Sequence, residues 1–202
     1  MKLDLKKDLL QDQIPTNKWL CKDTQPEIIR AMSYDVELPL NKETELVMKK
    51  LIDFVRYSQD PNLNVKGSED HLRPAVGLAA PQIGSNINMF FTRFEWDEEN
   101  NDIEEFAMVN PKIIAKSEQI GYLKGGEGCL SVDSDHPGNV PRSYKIKISG
   151  YDWLTNKNLE LTLRGYQAIV FQHEIEHNQG KLYYDRINKE EPQKIEENWI
   201  EL

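Results

Sequence analysis

Residues 166–178, Tyr-Gln-Ala-Ile-Val-Phe-Gln-His-Glu-Ile-Glu-His-Asn, restrict this chain more than any other stretch. They contain no proline and lie between Gly165 and Gly180, so they read as one helix with Gly180 placed to cap its end. Much of the helix is apolar and looks buried, yet Gln172, His173, Glu174, Glu176 and His177 interrupt it. Buried polar groups need partners, and a cation supplies one. His173 and His177 are four residues apart, so both imidazoles project from one helix face. Glu174 lies a quarter turn round. From there its carboxylate can reach a water on an ion held by the imidazoles without being a ligand itself. Ile169 and Val170, one turn earlier, and Tyr166 beyond them put an apolar patch beside such an ion.

A catalytic ion of this kind needs a third protein ligand and an open position for water. A third histidine at the metzincin spacing is excluded, because that position is Tyr183. Glu197, twenty residues after His177, would make a glutamate-ligated metallopeptidase, although it stands in a charged tail. Cys129 is the other source. It follows three glycines within four residues (Gly125, Gly126, Gly128), where the backbone turns sharply. A thiolate with two neutral imidazoles suits a borderline-soft divalent ion. The remaining reading is a structural metal site without catalysis. Cys21 has no neighbour that gives it a role.

The rest of the chain bounds the setting. Of 202 residues, 39% are hydrophobic, enough for one core and one domain. The net charge of −9 argues against direct nucleic-acid binding, since phosphate contacts need a basic face. No apolar run approaches the ~20 residues that span a bilayer, so no membrane association is expected. Two cysteines make no disulfide framework, and the charged first residues lack the apolar centre of a signal peptide. A cytoplasmic location is the expectation.

Three prolines punctuate residues 1–40, which read as an extended arm over the domain. Asn41 caps an expected helix over 42–57, and residues 58–74 form a polar surface insertion. Short β-like runs follow at 88–94, 106–110, 112–115 and 120–123, with a hairpin of 144–149 and 159–163 joined through 152–158. Residues 188–202 are a charged tail. The fold class expected is α+β, with short, mostly antiparallel strands. Residues 75–84, Ala-Val-Gly-Leu-Ala-Ala-Pro-Gln-Ile-Gly, are dominated by small side chains; on these residues alone they read as a tight structural turn holding the single amide Gln82.

Taken together and in this order, AVGLAAPQIG, EGCLS and QHEIEH resemble the three signature motifs of peptide deformylases. The likeness continues through EGCLSVD…VPR and LRGYQAIVFQHEIEH…YYDRI, spans about Leu38 to Ile187, and is nearest the variant common in Gram-positive bacteria. The resemblance implies sheets wrapped around a central, C-terminal HExxH helix. It implies hydrolysis of the formyl group from the formylmethionine of nascent peptides, releasing formate. By that resemblance Cys129, His173 and His177 hold the metal, Fe²⁺ in most relatives, with Zn²⁺, Ni²⁺ or Co²⁺ as substitutes. Glu174 is the general acid and base, Gln82 and the Leu130 backbone N–H form the oxyanion site, and Gly77 lines the groove for the peptide backbone. Val76, Tyr166, Ile169 and Val170 are candidates for the methionine pocket. A monomer with at most a transient ribosome contact is expected, and Glu127 with Arg142 is a candidate ion pair bracing the Cys129 loop. Three positions depart from the motifs: Ala75 for glycine, Glu176 for aspartate and Asn178 for leucine.

Overall fold

A computed structural model describes residues 8–97 and 102–202. Five strands form the larger sheet: β1 (Gly77–Ala79), β2 (Met89–Asp97), β3 (Asp102–Lys116), β6 (Lys145–Asp152) and β7 (Lys157–Arg164). Their order is β1-β2-β3-β6-β7, and every neighbouring pair is antiparallel. A smaller sheet has the order β5-β4-β8, from β5 (Arg142–Ser143), β4 (Ile120–Tyr122) and β8 (Ile200–Glu201). The helices are a one-turn α1 (Pro26–Ile29), α2 (Lys42–Gln59) and α3 (Gly165–Asn178). The architecture is α+β, as expected.

Side-chain alternation explains why the middle stretches of β2 and β3 are apolar on both faces. Phe91, Ala107 and Val109 join one core with Met48, Leu51, Ile52 and Val55 of α2. Their neighbours Phe90, Phe106 and Met108 join a second core with Phe171 and Ile175 of α3. Successive residues of a strand point to opposite faces, so β2 and β3 are buried on both sides, one helix to each. The Phe171 ring meets the rings of Phe90 and Phe106 edge-on, with centroids 5.2 and 5.3 Å away, a favoured aromatic geometry. α3 also touches β4 and β5 of the smaller sheet.

Local signals account for the element ends. Asn41 Oδ1 accepts the N–H groups of Glu43 (3.0 Å) and Thr44 (2.9 Å) and starts α2. α2 runs two residues beyond the expected Tyr57. Gly180, with φ +67°, follows α3, and its N–H returns to the His177 carbonyl at 3.0 Å. A Cβ at Gly180 would collide with the Arg30 carbonyl, so the helix end is also a packing point. In the 58–74 segment, buried Asn64 accepts the Leu72 N–H (2.9 Å) and donates to the carbonyls of Leu72 (2.7 Å) and Ser58 (2.8 Å).

The strands differ from expectation in several places. The runs at 106–110 and 112–115 are one strand, β3, in which the register shifts between Val109 and Lys112. Pro111 cannot donate to the ladder, and Asn110 takes φ 51° beside it. The loop expected over 152–158 is shorter, because Asp152 Oδ2 accepts both Thr155 N–H (3.0 Å) and Oγ1–H (2.6 Å) and tightens the turn. β8 arises inside the charged tail and pairs in parallel with β4. Two residues carry no readable period, and their partner lies some eighty positions earlier.

Candidate metal centre

The Cys129 sulfur lies 3.2 Å from His177 Nε2, and that nitrogen lies 3.2 Å from His173 Nε2. These three ligand atoms all fall within 4.8 Å of one another, and among the described residues no other group of His, Cys, Asp or Glu side chains is so arranged. One sulfur and two imidazole nitrogens facing one another can share a cation, and the set suits a borderline-soft divalent ion. The residues therefore fit a metal. Glu197, the alternative third ligand, is exposed and stands outside this group.

Glu127 organises the first imidazole. Its Oε2 lies 2.8 Å from His173 Nδ1, which turns Nε2 toward the Cys129 sulfur and His177. Arg142 holds the same carboxylate at 2.8 Å through Nη2 and reaches Glu176 Oε2 at 2.9 Å through Nη1. Glu176 Oε1 in turn accepts Arg186 Nε at 2.7 Å. The ion pair read from sequence is present, and it reaches beyond the Cys129 loop to His173 and the back of α3. The departure at Glu176 has its use here, since two arginines share its carboxylate. Asn178 is likewise buried, and its carbonyl accepts the Ser33 N–H at 2.8 Å. Ala75 is buried between the Ser58 hydroxyl, which accepts its N–H (3.1 Å), and the Gln59 amide, which donates to its carbonyl (2.7 Å).

Charge follows geometry. Burial works to raise Glu127, yet Arg142 and His173 outweigh it and hold the carboxyl at about 2. Burial favours neutral His173, but the Cys129 sulfur and Glu127 prevail and keep it well above the usual histidine range. Burial and the charge of His173 hold His177 well below that range. Burial pushes Glu174 up to about 7. Its Oε2 is buried without a hydrogen-bond partner, as is His177 Nδ1.

One cavity gathers the other residues. Gln82, Leu130, His173, Glu174 and Cys129 line it, with Gly77 and Val76 on the β1 rim and Tyr166, Ile169 and Val170 on the α3 side. His177 is buried behind them. A Cβ on Gly77 would lie 2.5 Å from Glu174 Oε1, so glycine is what lets the β1 backbone approach that carboxylate. Gln82 belongs to the short helical turn Ala80–Ile83 that follows β1. Its Oε1 accepts the Ala79 N–H at 2.9 Å, which turns its Nε2 toward Ser131 Oγ (3.2 Å) and the Cys129 sulfur (3.6 Å). The segment is thus a strand and turn aimed at the cluster, where the residues alone suggested only a tight turn. The Glu127–His173 contact was missed in the sequence; a ligand histidine's second nitrogen always wants an acceptor, but nothing in the chain order singles out Glu127.

Comparison with known proteins gives the family. The family model for polypeptide deformylase matches residues 17–193. Peptide deformylase 2 of Bacillus cereus is 42% identical over 177 residues, 88% of this chain and 92% of that protein. Peptide deformylase 2 of Geobacillus stearothermophilus is 41% identical over 187 residues, covering 93% and 98%. Among solved structures, a probable peptide deformylase from Synechococcus phage S-SSM7 superposes with a TM-score of 0.65 at 30% identity, covering 83% of this chain and 97% of that one. With a cysteine sulfur and two imidazoles converging beside a buried glutamate, and relatives of this identity along most of its length, the chain belongs to the polypeptide deformylase family.

Proposed function

We propose that this deformylase removes the formyl group from the N-terminal formylmethionine of newly made polypeptides, with Cys129, His173 and His177 holding one divalent ion. Bound there, the ion supplies Lewis acidity and brings the pKa of a water toward neutrality. Fe²⁺ is the native ion in this reading, and Zn²⁺, Ni²⁺ or Co²⁺ can replace it, because sulfur and imidazole ligands accept all four.

The chain's own groups do the rest. Glu174 takes the proton of the attacking water and returns it to the departing amine, so one carboxylate serves as base and then acid. Its burial and unpaired oxygen suit a group that must exchange a proton near neutral pH. Negative charge builds on the formyl oxygen, where Gln82 Nε2 and the Leu130 N–H donate; each such donor is worth about 3–4 kcal/mol. Val76, Ile169, Val170 and Tyr166 receive the methionine side chain, and the Gly77 backbone aligns the peptide. The enzyme acts in the cytoplasm as a monomer, with at most a transient ribosome contact. Among the described residues no helix is long and apolar enough to cross a membrane.

The convergence of the Cys129 sulfur and two imidazole nitrogens beside Glu174 carries this reading. Formate release from a formyl-Met-Ala-Ser peptide by metal-loaded protein tests it. Cys129→Ala should abolish both bound metal and formate release, while Glu197→Ala should change neither. Full activity in Cys129→Ala would overturn the reading.

A further inference from the structure

Residues 21–23 of the N-terminal segment grip both loops that hydrogen-bond the Cys129 sulfur. The Cys21 N–H donates to the Gln82 carbonyl at 2.7 Å, and the Asp23 N–H donates to the Ser131 carbonyl at 2.8 Å. Between them, Lys22 Nζ donates to the Leu130 carbonyl at 2.7 Å and pairs with Asp133 Oδ1 at 3.1 Å. On the other side, Gln82 Nε2 and the Ser131 N–H face the Cys129 sulfur at 3.6 and 3.4 Å.

The Leu130 carbonyl and the Ser131 N–H belong to one peptide group. An ammonium on the oxygen draws electron density through the amide and strengthens the N–H as a donor, as in other chains of hydrogen bonds. The bond on the oxygen is itself charge-assisted and therefore strong. We infer that Lys22 is a positioning residue for the metal centre, acting through the Leu130–Ser131 peptide on the hydrogen bond that the Cys129 sulfur receives. Hydrogen bonds to a ligating sulfur withdraw charge from it, and partners behind a ligand set its orientation. Asp133 keeps the ammonium over that carbonyl. The inference rests on Cys129 being a ligand.

The test uses Co²⁺-loaded and Zn²⁺-loaded protein. Lys22→Met should move the sulfur-to-cobalt absorption band to lower energy, because a less hydrogen-bonded thiolate gives up its electrons more readily. It should also speed Zn²⁺ release to a chelator by about tenfold, the low end of what losing such a partner does. Lys22→Arg keeps a cation within reach and should restore both, and Asp133→Asn should shift the band partway in the same direction. A purely structural lysine would lower the melting temperature and leave the band in place. A wild-type band and release rate in Lys22→Met would overturn the inference. A band that survives Cys129→Ala would instead overturn the ligand reading beneath it.

Discussion

Glu127 Oε2 accepts His173 Nδ1–H at 2.8 Å while Arg142 grips the same carboxylate, so one buried acid connects an imidazole of the Cys129–His173–His177 cluster to the structural ion pairs behind it. Removing its charge without its shape separates the two duties. Glu127→Gln should remain folded and hold metal about 10–100-fold more weakly, the usual cost of losing a partner behind a ligand. Chelator competition measures this; unchanged affinity would show that His173 is oriented by something else.

Arg142 is the cation between Glu127 and Glu176, and all three side chains are buried. Arg142→Met leaves Glu127 with only His173 and Glu176 with only Arg186 as partners among the described residues. Breaking a buried pair on one side costs about 3–5 kcal/mol. Urea denaturation should therefore show a lower midpoint with little change in slope. A loss under about 1 kcal/mol, the scale of a surface pair, would mean that the network is solvated.

Acid should reveal the same network. The fold holds the Glu127 carboxyl at about 2, below its ordinary 4.5. A group depressed in this way stabilises the fold when ionised, so its contribution is complete above 4.5 and is lost as pH falls through 4.5 toward 2. With metal stripped from both proteins, wild type should lose more stability than Glu127→Gln between about pH 6 and about pH 3. Parallel losses in the two proteins would contradict the assignment.

Glycine at position 77 makes room for the Glu174 carboxylate. Gly77→Ala places a methyl carbon 2.5 Å from Oε1, and the carboxylate must shift by roughly an ångström to reach ordinary contact. A displacement of that size costs a catalytic group roughly 10²-fold in rate. Steady-state kinetics should show this fall in kcat. Wild-type kcat would place the working base elsewhere.

Glu174→Gln tests that base directly. It keeps the shape of the side chain and removes its proton affinity. Bound metal should be retained, and kcat should fall by about 10²–10⁴-fold, the range for a positioned acid–base group. Loss of metal together with activity would make Glu174 a ligand instead.

The metal-binding helix could be read from the chain because its information is local. The spacing of His173, Glu174 and His177 decides which face each occupies, and Gly180 marks the end; the helix rise does the rest. The Asn41 cap and the alternation in β6 and β7 are legible for the same reason. Cys129 was different. Its residues alone made it a candidate ligand but left a glutamate alternative open, and the likeness to known motifs favoured the sulfur. Contacts between distant positions were beyond reach: Glu127 meets His173 across 46 residues, and Lys22 meets the Leu130 carbonyl across 108. Neither pairing has a periodic signature, because each depends on how two sheets and an N-terminal segment close around α3. Sequence determined the helix, its two imidazoles and the acid between them; tertiary packing decided which sulfur meets them and which buried charges hold them in place.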